Sequence, residues 1–140
     1  MEVLLVDDQA LTVQVYGAIV RKTFSGARVH IAMDLTDALQ LAAGHSIDLV
    51  LLDLALQNSN GVQTLNNFRK AWPTVPVLVV AAAEDRDTIR ACLDAGARGY
   101  VPKTSALVAL AGAMQTVLAG GRHVPPEAER SDLKPAANGG

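Results

Sequence analysis

Short apolar runs recur five times along this sequence, and segments with helical spacing separate them. The runs are EVLLV (2–6), ARVHIA (27–32), DLVLLD (48–53), PVLVVA (76–81) and GYVPK (99–103). Three of these runs contain almost nothing but Val, Leu and Ile, which is typical of strands covered on both faces. Strict alternation of strands and helices predicts right-handed crossovers and a mostly parallel sheet between two layers of helices.

The intervening segments carry apolar residues at the spacing of helices. Asp34 is placed to cap the second helix, and weaker patterns predict helices over 62–71 and 85–95. Two stripes are expected to face the core, namely Leu11, Val15 and Ile19 near the start and Leu107, Leu110, Ala111, Met114, Val117 and Leu118 near the end.

Composition and charge narrow the class of protein. A chain of 140 residues with 50% hydrophobic residues is enough for one domain with its own core. The formal charge of −2 provides no basic surface for nucleic acid. The single cysteine excludes an internal disulfide, and neither a signal peptide nor an apolar stretch of membrane-spanning length is visible. We therefore expect a cytoplasmic protein without a membrane segment.

The polarity of the chain changes near its end. Residues 122–140 are polar and rich in Pro, Ala and Gly, which is typical of a linker or a disordered tail. We therefore expect one folded domain over residues 1–121, followed by this linker.

Three aspartates and a lysine stand where the expected strands end. Asp7 and Asp8 follow the first run, Asp53 closes the third and Lys103 closes the fifth. Ligands of open parallel sheets bind outside the carboxyl ends of the strands, and in the doubly wound order 2-1-3-4-5 the first and third strands are neighbours. Each residue alone would more often be a solvated turn residue, so the hypothesis of a site depends on their convergence.

The chemistry of this group indicates what the site would bind. Crowded carboxylates need a cation, and Mg²⁺ prefers a few carboxylates together with waters. A lysine supplies a point charge for a phosphate. A carboxylate nucleophile, a metal and a lysine together predict a place that receives a phosphoryl group.

The motifs resemble those of the receiver domains of two-component response regulators, the CheY-like family, over residues 2–121. LLVDDQ, LVLLDLALQNSNG, VLVVAAAED and AGARGYVPK occur in the order and spacing of that family. DDQAL, and GYVPK followed by LAGGRHVPPE, are most similar to regulators with a LuxR-type helix-turn-helix output domain. The resemblance implies a flavodoxin-like α/β fold with five parallel strands.

The resemblance also implies roles for individual residues. It makes Asp53 the phosphoacceptor of a sensor histidine kinase and Lys103 the contact to the phosphate. It implies that Mg²⁺ is bound directly by Asp8 and Asp53, through water by Asp7, and by the backbone carbonyl of Ala55. The implied protein is a signalling switch and not a metabolic enzyme. It would reach DNA only through a C-terminal domain absent from this chain, and small residues on its last helix would permit a homodimer.

The sequence departs from the family pattern at Ala81. Receiver domains normally carry a Thr or Ser there, whose hydroxyl binds the phosphate and is coupled to an aromatic switch, here Tyr100. With alanine at this position, we expect Asp53 to be phosphorylated while Tyr100 stays divided between inward and outward positions. Gln57 is a second departure, because a proline is usual before the glycine that matches Gly61.

Other functions stay open on the sequence alone. A phosphohydrolase with an aspartyl-phosphate intermediate usually needs an acid two residues after the nucleophile, where this chain has Ala55. A dinucleotide-binding module needs a G-x-G-x-x-G motif, which does not follow the first strand. A pseudo-receiver, which would act as a phosphorylation-independent interaction module, is compatible with Ala81. His30, His45 and His123 show no metal-ligand spacing, so surface or packing roles are expected for them.

Overall fold

The computed structural model describes residues 1–57 and 59–129, and within them five strands alternate with five α-helices. The strands run parallel in the order β2-β1-β3-β4-β5. This arrangement confirms the doubly wound, flavodoxin-like α/β fold. The elements are β1 (Glu2–Val6), α1 (Ala10–Thr23), β2 (Arg28–Ala32), α2 (Leu35–Gly44), β3 (Leu49–Leu52), α3 (Val62–Ala71), β4 (Val77–Ala81), α4 (Arg86–Asp94), β5 (Gly99–Pro102) and α5 (Ala106–Leu118).

Local signals in the sequence determine where several helices begin and end. The Asp34 carboxylate accepts a 2.8 Å hydrogen bond from the backbone N–H of Asp37, which confirms the predicted cap of α2. Asp85 caps α4 in the same way. Gly96 follows α4 with a φ of 102°, a conformation that favours glycine because a Cβ is strained there.

The central strands are buried on both faces, which explains their continuous apolar sequences. Val3, Leu5 and Leu51 belong to a core cluster shared with α1 and α5. Leu4 and Leu52 point to the other face, in a cluster shared with α2, α3 and α4. Side chains of a strand alternate between its faces, so a strand between two helical layers needs apolar residues at every position.

The stripe predicted for α1 was partly wrong. Val13, Tyr16 and Val20 form the buried face of this helix, whereas Leu11 is 73% exposed. At 3.6 residues per turn, Leu11 lies almost opposite the centre of that face. In α5, Leu107 is likewise 75% exposed, although the later members of its stripe are buried or half-buried.

The chain after α5 turns back onto the sheet. The His123 backbone donates a 3.0 Å hydrogen bond to the carbonyl of Arg98 and accepts a 3.1 Å hydrogen bond from the backbone N–H of Tyr100. A short 3₁₀ turn then packs on α4, where Ala128 is fully buried and its carbonyl accepts a 3.0 Å hydrogen bond from Arg90 Nε.

The predicted boundary between the domain and its linker at residue 121 therefore remains a prediction. The residues from 122 to 129, expected to be linker, contact the domain, and residues 130–140 lie outside the described part of the chain. No helix among the described residues is long and apolar enough to span a membrane.

Candidate functional site

The parallel pairing of β1 and β3 brings together the three aspartates that the sequence singled out. Val6 pairs with Leu52, so Asp7 and Asp53 leave neighbouring strands at the same level. The Asp53 backbone N–H donates a 2.9 Å hydrogen bond to the carbonyl of Val6, which extends the pairing to the site itself. Carboxylate oxygens of Asp7, Asp8 and Asp53 all lie within 4.8 Å of one another.

Lys103 joins this cluster from the end of β5. Its Nζ is 3.0 Å from Asp7 Oδ2 and 3.1 Å from Asp53 Oδ2, and it also donates to the side-chain oxygen of Gln9 at 3.3 Å. Because β4 lies between β3 and β5, the lysine reaches across the end of β4 to make these contacts. The structure thus unites residues from three strands in one ionic cluster.

The members of this cluster differ in burial, and burial shifts the pKa values of Asp53 and Lys103. Asp7 and Asp53 are buried, while Asp8 is exposed. Burial, and then the charge of Asp7, raise the pKa of the Asp53 carboxyl, although Lys103 opposes the shift. Burial lowers the pKa of Lys103, but its hydrogen bonds with the two carboxylates outweigh that effect and the net pKa is raised. The lysine is therefore held as a cation, and it balances one of three carboxylates.

The donor set of the cluster fits Mg²⁺. All three ligand groups are carboxylates, and the exposed position of Asp8 leaves one side of the cluster open to water. Mg²⁺ takes oxygen ligands and keeps several of its waters, which a fully enclosed cluster would not permit. Ala55 is exposed two residues after Asp53, and its backbone N–H donates a 3.3 Å hydrogen bond to Asp53 Oδ1.

A cavity of about 220 Å³ opens beside Asp53. It is lined by the ends of β3 and β4 and by the start of α4, including Ala81, Ala83 and Thr88. The sequence did not single out Thr88, although its spacing after Asp85 was a signal for a helix cap. The Thr88 hydroxyl already takes part in the cap of α4, because it donates a 2.7 Å hydrogen bond to Asp85 Oδ2.

Tyr100 points into the protein. Its ring is fully buried, and its hydroxyl donates a 2.7 Å hydrogen bond to the carbonyl oxygen of Ala83. Burial, with nearby acidic groups, raises the pKa of this phenol far above its ordinary value. Tyr100 and Ala81 belong to the same core cluster.

A second cluster was missed by the sequence analysis, at the opposite end of the sheet. The rings of His30 and His45 lie 4.0 Å apart between centroids, and both contact the carboxylate of Glu2. The surface or packing roles expected for these histidines stay a prediction, and the structure adds that the donor atoms of Glu2, His30 and His45 lie within 4.8 Å of one another. Fifteen positions separate the two histidines in sequence, and only the return of α2 along the sheet brings them together.

Comparison with known proteins identifies the family. The model of the family described as the response regulator receiver domain matches residues 3–115. The chain belongs to this family of two-component signalling modules. The fold, the aspartates and the lysine are consistent with that assignment.

Relatives and solved structures add detail. The chain is 31% identical to the glycerol metabolism activator of Pseudomonas putida, over 93% of this chain and 59% of the relative. It is 38% identical to the transcriptional regulatory protein KdpE of Mycobacterium tuberculosis, over 72% of this chain and 43% of that protein. The chain thus spans about half the length of these two relatives.

Two LuxR-family proteins are among the similar structures, which confirms the resemblance noted in the sequence. A two-component response regulator from Aurantimonas sp. SI85-9A1 superposes with a TM-score of 0.83 at 26% identity, over 91% of each chain. A DNA-binding response regulator from Silicibacter pomeroyi gives 0.79 at 32% identity, over 90% of this chain and 98% of the other.

Proposed function

We propose that this chain is a phosphoacceptor receiver domain in which Asp53 takes a phosphoryl group from the phosphohistidine of a sensor kinase. The observation that carries the proposal is the position of Asp53. Its Oδ2 is 3.1 Å from Lys103 Nζ, two further carboxylates lie within 4.8 Å, and a cavity adjoins it. A nucleophile, a cation and space for the transferred group are present together.

The transfer exchanges one bond to phosphorus for another. An Asp53 carboxylate oxygen attacks the phosphorus and forms an acyl phosphate, while the P–N bond breaks and its electron pair leaves with the imidazole nitrogen. Lys103 neutralises charge on the phosphoryl oxygens, which it can do because its raised pKa keeps it an ammonium.

Asp8 and Asp53, Asp7 through water, and the carbonyl of Ala55 would hold Mg²⁺ in this site. When bound, the metal spreads and neutralises the negative charge of the phosphoryl oxygens. Asp7 is already oriented for this role, because its Oδ1 accepts a 2.9 Å hydrogen bond from the backbone N–H of Gln9.

The proposed output lies beyond residues 1–121. The similar protein from Silicibacter pomeroyi is a DNA-binding response regulator, and the chain spans about half the length of its curated relatives. We place this receiver in the cytoplasm, beside a DNA-binding domain that follows in the full-length protein, with transcription as its target. A homodimer through exposed residues of α5 would couple two such units.

One specific observation favours a second candidate, a pseudo-receiver that binds partners without phosphorylation. Ala81 supplies no hydroxyl to the cavity beside Asp53, and the hydroxyl of the buried Tyr100 donates to the carbonyl of Ala83. Without a hydroxyl at Ala81, a phosphoryl group lacks the contact that would couple it to Tyr100, which would suit a module with a single conformation.

Phosphorylation by a small donor separates the two candidates. We expect incubation with phosphoramidate and Mg²⁺ to add the mass of one phosphoryl group, and Asp53→Asn to abolish the gain. Asp94→Asn, at an exposed aspartate of α4, is the matched control and should be labelled like the wild type. A label that persists in Asp53→Asn contradicts the assignment of Asp53. An unlabelled wild type would establish the pseudo-receiver.

A further inference from the structure

We propose that Glu2, His30 and His45 form a second metal site, for Zn²⁺ or a chemically similar transition-metal ion. Glu2 begins β1, His30 lies in the middle of β2, and His45 is the C-cap residue that follows α2. Asp7 follows Glu2 by five residue steps along extended chain, about 16 Å at about 3.3 Å per step. The site is therefore distinct from the phosphoryl site.

The fold places the three side chains on one face of the sheet. His30 pairs with Leu4, so Glu2, Leu4 and His30 share the face on which α2 packs. Because β2 and β3 are parallel, α2 must run back along the sheet. Its last residue is Gly44, and His45 consequently arrives above the start of β1.

The distances suit tetrahedral coordination. Glu2 Oε1 is 2.8 Å from His30 Nε2 and 3.6 Å from His45 Nδ1, and the three donor groups lie within 4.8 Å of one another. Zinc–ligand bonds of about 2.0–2.1 Å place neighbouring ligand atoms about 3.3 Å apart. The two measured separations lie on either side of that value, so small side-chain rotations would admit an ion.

Charge and access also favour a cation here. The side chains of His30, Glu2 and His45 are 17%, 24% and 40% exposed, so the cluster is partly buried yet reachable from solvent. The C-terminal end of α2 carries no basic residue in its last turn, and the partial negative charge of a helix C-terminus attracts cations.

Asp48, the residue that precedes β3, fixes the backbone of Glu2. The Glu2 backbone N–H donates to Asp48 Oδ2 at 2.8 Å, and the Glu2 carbonyl accepts from the backbone N–H of Asp48 at 2.8 Å. These two hydrogen bonds hold the backbone that carries the Glu2 carboxylate, and Asp48 adds a further negative charge near the cluster.

The ligand types select the metal. Two imidazoles and one carboxylate suit Zn²⁺, Cu²⁺ or Ni²⁺, whereas Mg²⁺ prefers oxygen donors alone. Three protein ligands leave a fourth position for water. A bound ion would join the start of β1, the strand β2 and the end of α2, and it would stabilise the folded state by mass action.

Metal titration of the untagged 140-residue chain tests this site. With Mg²⁺ in excess to occupy the aspartate cluster, we expect one equivalent of Zn²⁺ by calorimetry and a rise in melting temperature that EDTA reverses. Co²⁺ should give the visible absorption of a tetrahedral site. His45→Gln should weaken Zn²⁺ binding by at least about 100-fold, since loss of residues that only orient a ligand already costs about 10–100-fold.

Two further variants make the result decisive. His30→Gln should weaken binding as His45→Gln does, and His123→Gln, which changes a histidine beside β5, should leave it unchanged. His45 is the most exposed of the three ligands, so its variant remains informative even if His30→Gln unfolds. The proposal would be overturned if Zn²⁺ binding survived both His30→Gln and His45→Gln, or if it disappeared in Asp8→Ala instead. Absence of Zn²⁺ binding from the wild type would also overturn it.

Discussion

The hydroxyl of Tyr100 donates a 2.7 Å hydrogen bond to the carbonyl oxygen of Ala83, and the ring of Tyr100 is fully buried. Ala81, at the end of β4, belongs to the same core cluster. Tyr100 pairs with Val79, which lies two residues before Ala81 on the same face of β4. The inward position of Tyr100 is therefore held by its hydrogen bond to Ala83 and by packing in the core.

Ala81→Thr should increase the conformational change that phosphorylation produces around Tyr100. The added hydroxyl can donate to a phosphoryl oxygen, and a hydrogen bond to a charged group contributes about 1.5–3 kcal/mol. NMR shifts near Tyr100, with and without phosphoramidate and Mg²⁺, measure the change. Ala81→Val is the matched control, because it has nearly the shape of Thr without the hydroxyl. An equal change in the wild type and in Ala81→Thr would mean that coupling follows another route.

Tyr100→Phe should lower the free energy of unfolding by about 1 kcal/mol, because it removes the hydrogen bond to Ala83 and keeps the ring. Urea denaturation measures the loss. Tyr16→Phe serves as the control, since the described residues offer the Tyr16 hydroxyl no hydrogen-bond partner although its ring is buried. Equal losses in the two variants would show that the contact to Ala83 contributes nothing.

Asp8→Ala should raise the melting temperature in metal-free buffer and remove the further rise caused by Mg²⁺. Asp8 is exposed, so its loss leaves the core intact, but it ends one repulsion with the buried Asp7 and Asp53. Thermal unfolding with and without Mg²⁺ measures both effects, and Asp94→Ala is expected to keep the Mg²⁺ response. An unchanged response in Asp8→Ala would exclude Asp8 as a ligand.

Cys92 should resist alkylation by iodoacetamide at pH 8 in the folded protein and react in denaturant. Its side chain is fully buried, and burial raises the pKa of the thiol to about 11, so the reactive thiolate is scarce below that pH. Mass spectrometry follows the reaction. In a Cys92→Ala background, Ser25→Cys places a thiol at an exposed turn and should react quickly. Rapid labelling of native Cys92 would contradict its burial.

The alternation of apolar runs and helical segments was enough to predict the parallel sheet and nearly every element, whereas the strand order came from the doubly wound fold type. That success has a physical cause, because buried parallel strands need continuous apolar sequence and caps such as Asp34 are local. The convergence of Asp7, Asp53 and Lys103 was also predictable, since parallel strands end at one edge. The roles of these residues, and a divided Tyr100 in the phosphorylated protein, stay predictions.

What the sequence concealed depends on contacts between distant segments. The proximity of His30 and His45 follows from the length of α2 and the register of β2, neither of which a spacing rule contains. The exposure of Leu11 shows that a four-residue step drifts around a helix of 3.6 residues per turn.

His123 occupies hydrogen-bonding positions along β5 that would otherwise be open to a strand from another molecule. The same pairing holds the backbone N–H of Tyr100, whose hydroxyl is held by Ala83 on the opposite side of the ring. Residues 122–129 therefore close the outer edge of β5 at Tyr100 and are anchored on α4 through the buried Ala128.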